Sequence, residues 1–203
     1  MRAAVLLIAL AACTPDVFSE SYLCGPDALC PEGQACNGPD NICVLKGAAQ
    51  PFSCTPKIAT EPDDSAANAH EIANLLCPSL PFSDENCMLQ DDAEDWVKLK
   101  APAMCNTNAV STVKLAAGVS FPIAFERIAI ELWDLGTMTK LADDAECTRG
   151  EGVVGEEIRC LDYALVAGSS YGIKVRPAGA GDGDCDGNCR FNRYTLRVEL
   201  STP

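Results

Sequence analysis

His70 is the only histidine in the chain, and it opens the run His70-Glu71-Ile-Ala-Asn74. On a helix, positions 70 and 74 share one face, which lets an H-E-x-x-H run hold zinc through two imidazoles. Here Asn74 stands where the second ligand belongs, and no other histidine can replace it. The run therefore predicts a polar residue on a short helix and no zinc centre. A Ser-His-Asp relay fares no better, because no G-x-S-x-G elbow occurs anywhere in the chain. A cysteine nucleophile needs a free thiol, and an even, fully oxidised cysteine set leaves none. Carboxylate pairs for glycoside hydrolysis are assembled in space rather than by motif, but a small, disulfide-stapled chain is a poor frame for one. These residues predict a protein that is not an enzyme.

Acidic side chains offer different chemistry. Calcium takes six to eight hard oxygens from flexible, carboxylate-rich loops. One candidate set is Glu61, Asp63 and Asp64 meeting Asp92 and Asp95 across an acidic turn. A second is Asp182-Gly-Asp184-Cys-Asp186-Gly187, which matches the opening of an EF-hand loop. Its twelfth position is Arg193 instead of a bidentate Glu, and two nearby cysteines compete for its geometry. The alternative in both places is solvated acid that keeps the chain soluble.

The whole composition agrees with a soluble, exported protein. The chain has 203 residues, with 48% apolar and 22% charged side chains, room for one ordinary domain and a small appendage. Its 29 acidic and 15 basic residues give a net charge of −14, which repels phosphate backbones and argues against nucleic acid as a partner. Thirteen cysteines point to an oxidising compartment.

The N-terminus carries an address. Met1-Arg2 precede an unbroken small and aliphatic run, Ala3 to Ala12, too short to cross about 30 Å of hydrocarbon but suited to an export signal. It ends Leu10-Ala11-Ala12-Cys13, which resembles the lipobox of bacterial lipoproteins. That resemblance implies a signal peptide over 1–12, acyl chains such as palmitate on Cys13, and a membrane partner through that lipid. Three acyl chains anchor stably where one is marginal. Thr14, in place of an Asp, leans towards the outer membrane in such proteins. A plain secretory signal with an incidental cysteine is the alternative. Removing Cys13 leaves twelve cysteines, an even number.

Residues 13–23 read as a lipidated tether and 24–45 as a separate stapled module. The spacing Cys24-x5-Cys30-x5-Cys36-x6-Cys43 is set among Gly25-Pro26, Pro31, Gly33 and Gly38-Pro39 turns. Some twenty residues bury no core of their own, so disulfides must hold the shape. Four cysteines allow three connectivities, and zinc ligation lacks the tight C-x2-C pairs it needs. The stretch resembles the short EGF-like knots of bacterial surface lipoproteins, and that resemblance implies the crossed pairing Cys24–Cys36 and Cys30–Cys43. Residues 46–58, with Pro51 and Pro56, read as a linker.

From Thr60 onward the pattern is all-β. Ser170–Arg176 and Tyr194–Leu200 alternate strictly between apolar and polar, and Ile128–Asp134 lines Ile128, Ile130 and Leu132 on one face. Trp96–Lys100, Val110–Ala116 and Asp162–Ala167 add further strands, which together predict an antiparallel β-sandwich. Only Asp64 to Leu76 reads as helix, capped by Ser65, with Ala66, Ala69, Ile72, Ala73 and Leu76 as its apolar stripe. Trp96 and Trp133 fall opposite the apolar stripes of their strands. There they would form a stacking patch for sugar or protein unless loops or the second sheet cover them.

Five motifs along residues 59–203 resemble the bacterial pre-peptidase C-terminal (PPC) domain family. They are Glu61-Pro-Asp-Asp-Ser65-Ala-Ala-Asn-Ala69, the acidic turn Asp91-Asp-Ala-Glu-Asp-Trp-Val-Lys-Leu99 leading through Trp96, the strand Ile130-Glu-Leu-Trp-Asp134, the hairpin Leu165-Val-Ala-Gly-Ser-Ser-Tyr-Gly-Ile-Lys-Val175, and the closing Tyr194-Thr-Leu-Arg-Val198. The resemblance implies a jelly-roll-like sandwich without catalytic activity, and in some collagen-binding members a calcium ion at matching acids. Two departures stand out: no peptidase domain is present, and eight cysteines have been added. Their expected bridges are Cys147–Cys160 across a Gly-rich connection, Cys185–Cys189 within one loop, Cys77–Cys87 around a Pro-rich turn, and Cys54–Cys105 from the remainder. The expected protein is a lipid-anchored envelope binder of polysaccharide or protein, on the periplasmic or cell-surface face. An architectural spacer or an accessory to a separate secreted peptidase is the alternative.

Overall fold

The computed structural model describes residues 22–56, 62–73, 75–89, 94–147, 154–178 and 191–202. The expected signal over 1–12, Cys13, Glu61, Asp92, the acids Asp182, Asp184 and Asp186, and the expected Cys185–Cys189 bridge lie outside them.

The stapled module contains one hairpin, β1 (Gln34–Asn37) and β2 (Ile42–Leu45). Bridges Cys24–Cys36 and Cys30–Cys43 cross over it. The sulfurs of Cys24, Cys30 and Cys43 lie within 4.8 Å of one another, a spacing open to a metal, but both bridges already hold them.

The remaining strands are β3 (His70–Glu71), β4 (Phe82–Met88), β5 (Asp95–Lys100), β6 (Met104–Cys105), β7 (Asn108–Ala109), β8 (Thr112–Pro122), β9 (Ile128–Asp134), β10 (Thr139–Asp143), β11 (Ala145–Glu146), β12 (Glu156–Val166), β13 (Ser170–Pro177) and β14 (Asn192–Ser201). They build two five-stranded sheets. The first runs β10-β9-β13-β5-β3 and the second β11-β12-β8-β14-β4. All pairings in these sheets are antiparallel except β3 with β5. Period-two alternation turns Val97 and Leu99, Ile128, Ile130 and Leu132, and Ile173 and Val175 inward from the first sheet. They meet Val113, Leu115, Val119 and Phe121, and Leu196, Val198 and Leu200, from the second, all buried in one core. Each such side chain contributes roughly 1.5–3 kcal/mol on burial.

The expected helix over 64–76 is absent. A turn closes at Asn68, whose amide donates to the Ser65 carbonyl at 3.0 Å, and the chain then joins the sheet edge as β3. Ile72 is buried with its amide on the Lys98 carbonyl at 2.9 Å, whereas Ala73 and Leu76 are exposed. The open edge of β5 offers backbone partners that outweigh a weak helical stripe.

Two expected bridges are also corrected. The structure joins Cys54 to Cys87 and Cys77 to Cys105, in place of Cys54–Cys105 and Cys77–Cys87. Cys77 precedes β4 and Cys87 lies near its end, so the strand holds them about 20 Å apart, beyond the reach of a disulfide. Cys87 also has the opposite parity to the inward Asn86 and Met88, which turns it towards the segment carrying Cys54. Cys147–Cys160 closes its connection.

The 46–58 segment does not act as a free spacer where it is described. Phe52 enters a second apolar cluster with Phe125, Phe191, Ala124 and the module's Cys24 and Cys43. Its ring lies 4.5 Å from Phe191 and 4.9 Å from Phe125. Gly38 explains the close fit, since a Cβ there would meet the Phe52 backbone at 2.2 Å. No described helix is long and apolar enough to cross a membrane.

Candidate functional site

The outer face of the first sheet gathers the side chains best suited to meeting a ligand. Strand register sets them in rows. Glu71, Lys98, Gly172, Trp133 and Lys140 align across β3, β5, β13, β9 and β10. The next row holds Trp96, Lys174, Glu131 and Asp143. Both tryptophans thus lie opposite the core, but they differ in exposure. Trp133 is half-buried, whereas Trp96 is only 4% exposed. Gly172 makes room for it: a Cβ there would come within 3.0 Å of the Trp96 ring and 2.9 Å of Leu135. The covered alternative therefore holds for Trp96, whereas Trp133 stays half-exposed.

The two indoles, Lys174, Arg176 and Glu131 on this face have defined partners. The Trp96 indole donates to Glu94 at 2.7 Å and the Trp133 indole to Glu131 at 3.0 Å. The Lys174 ammonium sits 5.5 Å from the Trp96 ring and 5.9 Å from Trp133, and it also pairs with Glu94. Arg176 donates to Glu131 at 2.8 Å, with Lys140 at 3.7 Å. Burial raises the Glu131 pKa, but hydrogen bonds from Arg176 and Trp133 and the charges of Arg176 and Lys140 outweigh it. The carboxyl is held below its ordinary value. The result is a prearranged aromatic and ionic surface, with Trp133 and Lys140 reaching solvent.

The candidate calcium acids are only partly brought together. Asp63 and Asp95 are fully buried, and the Trp96 amide donates to the Asp63 carbonyl at 3.0 Å, which ties the two segments. Asp95 accepts the Tyr194 hydroxyl from the facing sheet. Asp64 is exposed. Asp84, missed from sequence, is buried on β4. Among the described residues, no three carboxylates converge as a metal set. His70, which sequence placed on a helix, stands on β3 opposite Val97.

The outer face of the second sheet is partly overlaid by the module. A cleft of about 410 Å³ lies between Pro39, Ser53 to Thr55 and the strand residues Glu85, Ser120, Arg193 and Thr195. Arg193 spans it, donating to the Gly38 and Pro39 carbonyls. Its guanidinium carbon lies 5.6 Å from the Phe52 ring. Burial lowers its pKa, with Asp40 acting in the opposite sense. Nothing in the spacing around Arg193 announced this role.

The five bridges among the described residues mark a protein of a non-cytoplasmic, oxidising compartment. No family model matches the chain, and no curated protein matches it. Solved structures similar to it include the following two. One is the pre-peptidase C-terminal domain of a collagenase from Bacillus anthracis, at 13% identity and a TM-score of 0.40, covering 64% of this chain and 94% of that one. The other is PliG of Salmonella Typhimurium, a periplasmic inhibitor of g-type lysozyme, at 12% identity and a TM-score of 0.37, covering 65% and 98%.

Proposed function

We propose that the chain is a non-catalytic binding module of the bacterial cell envelope, tethered by a lipid on Cys13, whose first sheet presents Trp133 to a surface polysaccharide or protein. The observation that carries this reading is the outer-face array. Trp133 is held in place by its indole bond to Glu131 and by Lys174 beside its ring. A half-buried indole fixed in this way binds a flat sugar face or an aromatic side chain at little further entropic cost. The lipobox at Leu10-Ala11-Ala12-Cys13 supports the anchor, and the EGF-like module would lift the sandwich from the membrane. Nucleic acid is no partner in this reading, because the net charge repels it.

Calcium belongs to the reading as a stiffening ion. Asp63 and Asp95 supply buried carboxylates from two joined segments, and hard oxygens of this kind suit a hard divalent cation. Glu61 and Asp92 would complete the set. The spacer alternative draws on the docked module, whose aromatic joint makes a stiff support without needing a ligand.

The test is capture of envelope polysaccharides and proteins by the immobilised chain, once in calcium and once in chelator. Mass spectrometry of the membrane-derived protein accompanies it. The reading expects acyl chains on Cys13 and a specific captured ligand. Capture lost in chelator would add calcium to the binding; capture indifferent to it would remove calcium. A bare Cys13 thiol contradicts the anchor, and absence of capture in both conditions favours the spacer.

A further inference from the structure

The outer face of the first sheet sorts its chemistry into a strip. Glu71, Lys98, Gly172, Trp133 and Lys140 stand side by side on five adjacent strands. Four strand spacings, about 19 Å, separate its ends. The middle of the strip is apolar. Leu135, half-buried, covers Gly172, where an added Cβ would meet its Cδ2 at 2.9 Å. Trp133 stands opposite that glycine and is backed by Trp96, with ring centroids 5.7 Å apart.

Charge on this face is cancelled pair by pair. Lys140 meets Asp143 at 2.8 Å and Lys98 meets Glu71 at 3.6 Å, one pair at each end of the strip. Between them Arg176 holds Glu131 at 2.8 Å, and Lys174 holds Glu94. Lys100 and Asp134, at strand ends, add one charge of each sign. The face is therefore balanced, although the chain as a whole carries −14.

That balance selects among ligands. An anionic polymer gains little here, because the four cations along the strip already have their carboxylates. A standard protein interface buries about 800 Å² per partner around a core depleted of charge. Built on this strip, that core would have to take in ion pairs and bear their desolvation. A sugar chain leaves the pairs in water and uses them. Each pair sets donors beside an acceptor, which is what vicinal hydroxyls need. The flat Trp133 ring takes the C–H face of a pyranose whose hydroxyls are equatorial.

We propose that the strip binds a neutral polysaccharide of gluco configuration, built of glucose or N-acetylglucosamine. One pyranose stacks on Trp133, Lys140 and Asp143 take hydroxyls of a neighbouring unit, and Lys98 and Glu71 meet the chain at the other end. This deepens the first-sheet reading and rests on it.

The experiment titrates the intact chain, in a sugar-free detergent, with cellotetraose, with chitotetraose and with alginate, a polyanion. Acrylamide quenching of tryptophan fluorescence reports on half-exposed Trp133, since Trp96 is buried. The tetrasaccharides are expected to bind and to shield Trp133. Raising salt to about 0.5 M should change their affinity less than about twofold, because no net charge is screened. Trp133→Ala should weaken binding about tenfold, with Trp133→Phe retaining part of it. Lys140→Ser with Asp143→Ser removes an exposed pair and should cost about threefold. Unchanged thermal unfolding shows that each variant keeps the fold. Failure of both tetrasaccharides to bind overturns the proposal, as does binding that falls steeply with salt. Alginate or protein capture that depends on Trp133, with no tetrasaccharide bound, also overturns it but leaves the first sheet as the ligand surface. Binding of any ligand that ignores Trp133→Ala removes the proposal and that reading together.

Discussion

The two sheets of this sandwich finish their outer faces in opposite ways. The first closes over itself: Trp96 fills the space left by Gly172, Lys174 lies along both indoles, and Glu94 and Glu131 accept hydrogen bonds from the indole N–H groups. The second borrows another part of the chain. Cys54–Cys87 pins the preceding segment to β4, Phe52 packs into Phe125 and Phe191, and Arg193 holds two module carbonyls. The lesson is that one face stays available because its own side chains satisfy it, whereas the other is structural because its partner is covalently attached.

That contrast can be broken from either side, and the largest effect belongs to the attached face. Replacing Cys54 and Cys87 by Ser frees a long loop and should cost about 3–4 kcal/mol in chemical unfolding. The Trp133 environment, read by fluorescence at low denaturant, should stay unchanged. Overfilling the self-closed face comes next. Gly172→Val pushes on the Trp96 ring and Leu135, and a loss of about 1–3 kcal/mol is expected with a shifted near-UV spectrum. Arg193→Met removes the donors to Gly38 and Pro39, and about 1–2 kcal/mol should disappear together with protection of the module amides from hydrogen exchange. The smallest effect is acid titration of Glu131. Its folded pKa lies below the ordinary 4.5, so its contribution is fully present above pH 4.5 and fades as pH falls through the lower, folded value. Glu131→Gln should flatten that acid limb of the stability curve, and an unaltered limb would remove Glu131 from the account.

Much of the first sheet was legible because its strands alternate cleanly. Ser170 to Arg176 and Ile128 to Asp134 show an apolar stripe and a polar stripe, and both became strands of the expected parity. β4 escaped notice because Asp84 and Asn86 point inward on an edge strand, so its alternation reads as polar throughout. The short β3 was hidden by Ala66, Ala69 and Ile72, which mimic a helical stripe until the edge of β5 competes for the backbone. Trp96 and Trp133 were recognisable as outward-facing. Their different burial was not, because it depends on Gly172 standing across the sheet from Lys98. The Cys54 and Cys87 partnership likewise arises only when strand length and side-chain parity are known together. Arg193 gave no local sign at all, since its partners are backbone carbonyls more than 150 residues earlier.

The most direct test of the account is capture of the envelope ligand by four versions of the chain: the natural sequence, Trp133→Ala, Lys140→Ser and Arg193→Met. If the self-closed face is the ligand surface, Trp133→Ala and Lys140→Ser lose capture while Arg193→Met retains it despite its weakened joint. Capture that survives both first-sheet changes and disappears with Arg193→Met would place the ligand at the module joint and contradict the account.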